Sequence, residues 1–288
     1  MKDAKHHKGK GRACSQYGVR AKKALGQHFL KDDTIAERIT SALTDYTLLK
    51  KYLPGNSIPI LEIGPGTGVL TKYLLADPKI NLEVAEVDDE SVAFLKETFH
   101  ALKDIEKKDF LTIPVDDLFG GPENSFAIIG NFPYNISSQI FFKILDYRER
   151  IPVTVCMLQK EVAERLASPP GHKAYGILSV LLQAWYDIEY LFTVEPEAFL
   201  PPPKVRSAVI RVTRNSRTSL GCNEALFKSV IKGCFLQRRK TIRNSIKPIA
   251  GNDNIKKLDG KYLDRRPEQL SVEEFAELTN SVEELSKK

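Results

Sequence analysis

The sequence predicts an α/β protein: a mostly parallel sheet wound with helices on both faces, followed by a small all-helical C-terminal part. Three observations carry this. Short apolar runs recur between residues 58 and 158 and alternate with stretches of helical periodicity. Two β-rich runs, 186–194 and 205–213, then follow one another across a proline-dense connection with no room for a helix. Beyond about residue 220 the pattern is helical, without strong strands.

Taken in order, residues 1–20 are rich in Lys, His and Gly with few large apolar side chains, and are expected to form a flexible basic tail. After Asp32 and Asp33, both suited to capping a helix, Ile35, Ile39, Ala42 and Leu43 recur at helical spacing. IPILEI (58–63) reads as a strand, Thr67 to Leu75 as a helix, LEVAEV (82–87) as a second strand and Glu90 to Phe99 as a helix. A third strand is expected before Asp109. FAIIGN (126–131) and VTVCML (153–158) read as buried strands, each followed by helical sequence. The runs 186–194 and 205–213 are expected to close the sheet as an antiparallel hairpin. In the last part Leu226, Val230, Ile231 and Cys234 share one helix face. The expected division is a tail (1–20), a catalytic domain (21–214) and a helical domain (215–288).

The 288 residues, 42% of them hydrophobic, suffice for one large core or for a large domain with a small appendage. No apolar run approaches the roughly 20 residues that span a bilayer, and the N-terminus lacks the apolar core of a signal peptide, so a cytoplasmic location is expected. Cys14, Cys156, Cys222 and Cys234 are scattered, with neither a CxxC pair nor a zinc quartet, which argues against structural metal and a disulfide framework. The net charge of +6 conceals strong segregation. Nine Lys and Arg against one acid give residues 1–31 a charge of +8, and seventeen against four give residues 204–266 a charge of +13. Residues 32–203 carry −11 and residues 267–288 carry −4. Flanking basic surfaces around a less basic body point to a polyanionic partner.

Glu62-Ile63-Gly64-Pro65-Gly66-Thr67-Gly68 lies where the first strand should turn into the first helix, the place where an open α/β sheet binds its ligand. It reads GxGxG with an acid two residues before the first glycine, the form typical of S-adenosylmethionine sites rather than the dinucleotide GxGxxG. Glu86 closes the second strand eighteen residues after Gly68, where a carboxylate can accept both hydroxyl hydrogens of a ribose. Asp88 is nearly as well spaced for that role. Asp109, in KKDF, could accept from the adenine amine of the cofactor with Phe110 packed nearby. Asn131-Phe132-Pro133-Tyr134 follows an apolar strand. The lone pair of an adenine N6 is delocalised into the ring, so methylating it needs help. The amide oxygen of Asn131 and a carbonyl fixed by Pro133 can accept the two N6 hydrogens and favour a pyramidal nitrogen, while Tyr134 stacks on the base. No strong general base is required, because the nitrogen becomes acidic once methylated.

These residues resemble the rRNA adenine N6,N6-dimethyltransferase family, in particular its members that act on small-subunit (16S) rRNA. GQHFL (26–30), EIGPGTG, EVD (86–88), GNFPYNIS (130–137), LQKEVAERL (158–166), KAYGILSVL (173–181), FLPPPKVRSAVIR (199–211), FLQRRKTIRNSI (235–246) and RPEQLSVEEFAEL (266–278) follow the order of the family blocks. The resemblance implies a Rossmann-like class I S-adenosylmethionine-dependent methyltransferase sheet with a helical C-terminal domain. It implies that His28, Leu30 and Gly64 line the methionine end of S-adenosylmethionine, with Gly66 and Asn131 also at the cofactor, Glu86 on the ribose and Asp109 on the adenine amine. Asn131, Pro133 and Tyr134 would form the target-amine site, with Phe199 as a second aromatic wall. Phe132 stands where Leu is usual and His28 where Asn is common. The implied reaction dimethylates two adjacent adenines near the 3′ end of 16S rRNA, within a partly assembled small subunit, by a monomer that needs no metal. The basic stretch containing Arg238, Arg239, Lys240 and Arg243 fits a phosphate-gripping surface.

Three other readings compete. A related large-subunit methyltransferase modifies one adenine, but FLQRRKTIRNS and the SVEEF tail favour the small-subunit type. A binding protein on the same fold would not need the intact NFPY and EIGPGTG. A DNA adenine methyltransferase would more often carry Asp/Asn-Pro-Pro-Tyr and a base-reading domain.

Overall fold

The computed structural model describes residues 15–102, 105–258 and 260–286. Cys14 and most of the expected tail lie outside the described residues. Residues 15–20 do not continue that tail. Ser15–Gln16 pairs antiparallel with Val19–Arg20 around a turn at Tyr17 and Gly18, and the Tyr17 ring stacks on Phe94 at 5.9 Å.

Six strands form the central sheet: β1 (Ile58–Ile63), β2 (Ile80–Ala85), β3 (Ala127–Asn131), β4 (Val153–Gln159), β5 (Tyr186–Val194) and β6 (Ser207–Arg214). Their order is β2-β1-β3-β4-β6-β5. The first four are mutually parallel, and β6 runs antiparallel to both its neighbours, so β5 and β6 make the expected closing hairpin. Ile60, Leu61, Ile128, Ile129, Val155 and Cys156 are fully buried, as a sheet covered on both faces requires.

Asp32 caps the helix Asp33–Leu43 by accepting from Thr34 and Ile35 N–H at 3.0 and 3.2 Å. Its buried stripe is Ala36, Ile39, Thr40 and Leu43, which keeps Ile39 and Leu43 of the expected face and takes Ala36 and Thr40 in place of Ile35 and Ala42. Two expectations fail for identifiable reasons. The helix expected from Thr67 begins only at Thr71, because Gly68, inside the expected span, adopts a left-handed φ of +75°. The third strand before Asp109 is a single parallel bridge between Glu86 and Lys107, since IEKKDF offers too few apolar residues for a strand buried on both faces.

The C-terminal part is built on two longer helices, Glu224–Leu236 and Val272–Ser286, linked by one-turn helices. β6 ends at Arg214, at the expected start of the helical domain. No gap in packing marks it: one apolar cluster runs from Ile128 and Phe141 through Leu182 and Trp185 to Phe227 and Phe275. Arg148 ties the two parts, lying 4.1 Å over the Trp185 ring and donating to Glu224 at 3.0 Å. Among the described residues no helix is long and apolar enough to cross a membrane.

Candidate active site

The C-terminal ends of β1, β2 and β3 converge with the segment Leu25–Leu30 around one cleft that opens to solvent. Parallel strands deliver their following loops to the same edge, so residues far apart in sequence meet there. His28, Leu30, Gly64, Gly66, Glu86, Asp109, Asn131, Pro133 and Tyr134 all line it. Asp88 and Phe199 do not.

Glu86 is 4% exposed, and its carboxylate is already engaged. Oε1 accepts the N–H groups of Val87 and Asp88, both at 2.9 Å, and Oε2 accepts that of Gly66 at 3.0 Å. Burial pushes its pKa up, and the three N–H groups oppose the shift. A carboxylate has about four acceptor positions, so one remains, on Oε2, rather than the two that the ribose reading requires. Glu62 lies beneath the glycine turn, accepts from the Thr71 hydroxyl at 2.7 Å, and is pushed up to about 8 by burial. The Thr67 hydroxyl lines the cleft and is buried without a hydrogen-bond partner among the described residues. A polar ligand entering the cleft would satisfy it.

Asp88 serves another purpose. Its buried carboxylate caps the helix Asp89–Thr98, forms an ion pair with Lys22 and accepts from Gln27 Nε2 at 3.1 Å. Burial alone would raise its pKa, but Lys22, Gln27 and the Glu90 N–H hold it below the ordinary carboxylate value. Asp109 accepts from the Leu111 N–H at 2.9 Å beside the buried Phe110 ring. Lys143, which the sequence did not single out, lies 5.2 Å over that ring. Burial lowers its pKa against the pull of Asp109.

Asn131 Nδ2 donates to the His28 carbonyl at 2.9 Å. That bond fixes the amide plane and leaves Oδ1 as the free acceptor. The Pro133 carbonyl accepts from the Ile136 N–H at 3.2 Å, which uses one of its two lone pairs. Tyr134 shares a 2.5 Å hydrogen bond with the Ser207 hydroxyl, and the His28 ring stacks on it at 5.5 Å. Burial raises the Tyr134 pKa, opposed by Ser207. The His28 Nδ1–H donates to the Pro201 carbonyl at 2.8 Å. Phe132 is fully buried edge-on to Phe141, so the departure from Leu is absorbed in the core.

The expectation for Phe199 needs correction. Its side chain is 1% exposed, because Phe199–Leu200 pairs antiparallel with Phe29–Leu30 and packs the ring into the core with Leu30 and Val194. The aromatic partner that Tyr134 meets is His28, which no spacing rule could reveal.

The four expected phosphate contacts also divide. Arg238 donates to the Lys173 carbonyl and approaches Glu268 at 3.9 Å, while Arg243 bonds Asp264 at 2.9 Å. Arg239 and Lys240 are exposed and make no ion pair among the described residues. No cluster of three His, Cys, Asp or Glu side chains suited to a metal occurs among the described residues.

A family model described as ribosomal RNA adenine dimethylase matches residues 18–284. The chain is 57% identical over 262 residues to the protein named Ribosomal RNA small subunit methyltransferase A in Parabacteroides distasonis, covering 91% of this chain and 93% of that one. Among solved structures, a dimethyladenosine transferase from Plasmodium falciparum superposes with a TM-score of 0.71 at 22% identity, over 90% of this chain and 98% of that one. The 23S rRNA methyltransferase ErmE gives 0.62 at 24% identity, over 88% and 99%. Both structural likenesses concern the fold.

Proposed function

The chain belongs to the ribosomal RNA adenine dimethylase family, and from that membership we propose that it transfers methyl groups from S-adenosylmethionine to the N6 atoms of two adjacent adenines near the 3′ end of 16S rRNA, dimethylating each. The substrate is the partly assembled small subunit in the cytoplasm, met by a monomer. The small-subunit reading takes support from the name carried by the 57% identical relative.

The observation that carries the mechanism is the Asn131 amide, committed through Nδ2 to the His28 carbonyl and therefore leaving Oδ1 to accept in the cleft that Pro133 and Tyr134 also line. Oδ1 and the Pro133 carbonyl accept the two N6 hydrogens of adenine. That draws the nitrogen toward a pyramidal geometry, with its lone pair free for attack. Both acceptors strengthen as N6 gains positive charge, so they favour the transition state over the ground state. Tyr134 holds the flipped base by stacking on the face that His28 leaves open. Once methylated, N6 is acidic and loses its proton to water.

The cleft fits the cofactor. Gly66 adopts φ +57°, and a Cβ there would lie 3.1 Å from the Phe29 ring, so glycine keeps that space clear. Glu86 Oε2 would accept from a ribose hydroxyl, Asp109 would take the adenine amine beside Phe110, and His28 and Leu30 would flank the methionine end. Bound there, S-adenosylmethionine supplies an electrophilic methyl group.

The test incubates the protein with labelled S-adenosylmethionine and undermethylated small subunits, then maps the modified nucleotides. Two adjacent dimethylated adenines near the 3′ end are expected. Asn131→Ala should slow single-turnover transfer by at least about a hundredfold while binding cofactor and particle nearly as well. Label on large-subunit RNA, on DNA or on nothing defeats the reading.

A further inference from the structure

We propose that Asp88 is a positioning residue: it clamps the segment Arg20–Leu30 across the cleft and thereby sets the orientation of the Asn131 amide. The inference rests on the reading of Asn131 given above.

A helix cap needs one carboxylate oxygen. Asp88 satisfies that need through the Glu90 N–H at 3.2 Å, with Ser91 Oγ as a further donor. Its side chain is nevertheless fully buried, a costly place for a charge, and its remaining capacity goes to two side chains of one incoming segment. Lys22 supplies the countercharge and Gln27 donates through Nε2. The segment is closed on itself as well, since Gln27 Oε1 accepts the Lys22 N–H at 2.8 Å. Gln27 and His28 are consecutive. Asp88 holds the side chain of the first, and the carbonyl of the second holds Asn131 Nδ2 at 2.9 Å. Just before the two anchors the backbone passes tightly over the target-amine side: a Cβ on Gly26 would lie 2.8 Å from Asn135 Oδ1.

The consequence is directional. If the His28 carbonyl drifts, the Asn131 amide loses the one acceptor that distinguishes its nitrogen from its oxygen. A flipped amide presents hydrogens to a substrate amine that also needs acceptors, and the site repels the group it should polarise. Asp88 touches neither cofactor nor adenine; it acts through the strap.

The experiment compares wild type, Asp88→Asn, Gln27→Met and Asn131→Ala, together with Asp88→Asn combined with Asn131→Ala. Asn keeps the helix cap at position 88 and removes the charge. Gln27→Met keeps the length and removes both the Nε2 donor to Asp88 and the Oε1 acceptor of the Lys22 N–H, and covers the case in which Asp88→Asn folds poorly by thermal melting. Single-turnover methyl transfer at saturating S-adenosylmethionine should slow roughly ten- to a hundredfold in Asp88→Asn and Gln27→Met, the scale of a catalytic group displaced by about 1 Å. In the Asn131→Ala background Asp88→Asn should cost little more, because the group it positions is gone. Independently of any substrate, the side-chain amide resonance of Asn131, identified by its loss in Asn131→Ala, should shift in both clamp variants. Equal fold losses in the two backgrounds, an unchanged rate, or an unmoved resonance overturns the proposal. A wild-type protein inert toward ribosomal RNA defeats the function proposed above instead, and the resonance shift then decides the clamp alone.

Discussion

Two buried carboxylates, Glu62 and Glu86, feel each other's charge beneath the cleft, and their different partners give them different tests. Glu62 has only the Thr71 hydroxyl to offset its burial. An unfolded chain releases the Glu62 proton near the ordinary carboxylate value, whereas the folded chain releases it at about 8. Its contribution therefore favours the folded state fully at pH below the ordinary value and is lost as pH rises through about 8. The Tm of Glu62→Gln should accordingly fall less than that of wild type between about pH 5 and about pH 9, as scanning calorimetry can check. Glu86 has three N–H partners and one spare acceptor position. Glu86→Ala should weaken S-adenosylmethionine binding roughly ten- to a hundredfold by isothermal titration, the worth of one charge-assisted bond. It should also lower the Tm, because three backbone donors lose their acceptor. Full affinity in Glu86→Ala would remove the ribose from this carboxylate. At this scale Gly64, Glu86 and Asn131 were legible, since each lies at the end of a strand readable from its apolar run, whereas His28, Leu30 and Asp109 follow no such strand. Occupancy was hidden. Nothing in the spacing of Glu86 and Asp88 tells that one is held by backbone and the other by Lys22, because Lys22 and Gln27 come from a segment remote in the chain and the Val87 and Asp88 donors to Glu86 depend on how the turn after β2 folds back on its carboxylate.

Between elements, β1 and β3 approach closely where Gly130 pairs with Ile63. A Cβ on Gly130 would lie 2.3 Å from the Ile63 carbonyl oxygen, and a backbone atom inside a parallel pair cannot swing aside as a side chain can. Gly130→Ala should therefore cost at least the roughly 1–3 kcal/mol of an overpacked core, visible as a lower midpoint in urea. By displacing the neighbouring Asn131 it should also slow methyl transfer. A midpoint equal to wild type would mean the strands part without penalty. Elements were the most legible level of this protein, because a sheet covered on both faces forces apolar runs and the β5–β6 hairpin forces proline-rich punctuation between them. The failures are equally physical. Apolar periodicity continues through Thr67–Leu70, but the left-handed Gly68 overrides it. The Lys and Glu residues ahead of Asp109 leave a bridge where alternation demanded a strand.

Across the whole molecule, charge segregation was readable as a sum and unreadable as a surface. Of the basic cluster, Arg238 and Arg243 are spent on Lys173, Glu268 and Asp264, leaving Arg239 and Lys240 as cations without an ion pair among the described residues. Reversing these two to Glu should weaken binding to small subunits and flatten the slope of log affinity against log salt by about two, with cofactor affinity intact. Arg238→Glu should instead lower the Tm, since it severs a tie between the helical part and the segment around Lys173. An unchanged salt slope in the double reversal would send the phosphate contacts elsewhere on the surface. The continuous cluster that runs from Phe141 through Trp185 to Phe275 has a further bearing. A chain ended after Arg214 would turn the apolar flanks of Leu182 and Trp185 to water, and such a fragment should aggregate rather than fold. The helical end is thus a wall of the catalyst, not a cassette clipped onto it, and a lineage built on this fold could not acquire a new target by exchanging that end without recasting the face of the sheet beneath it.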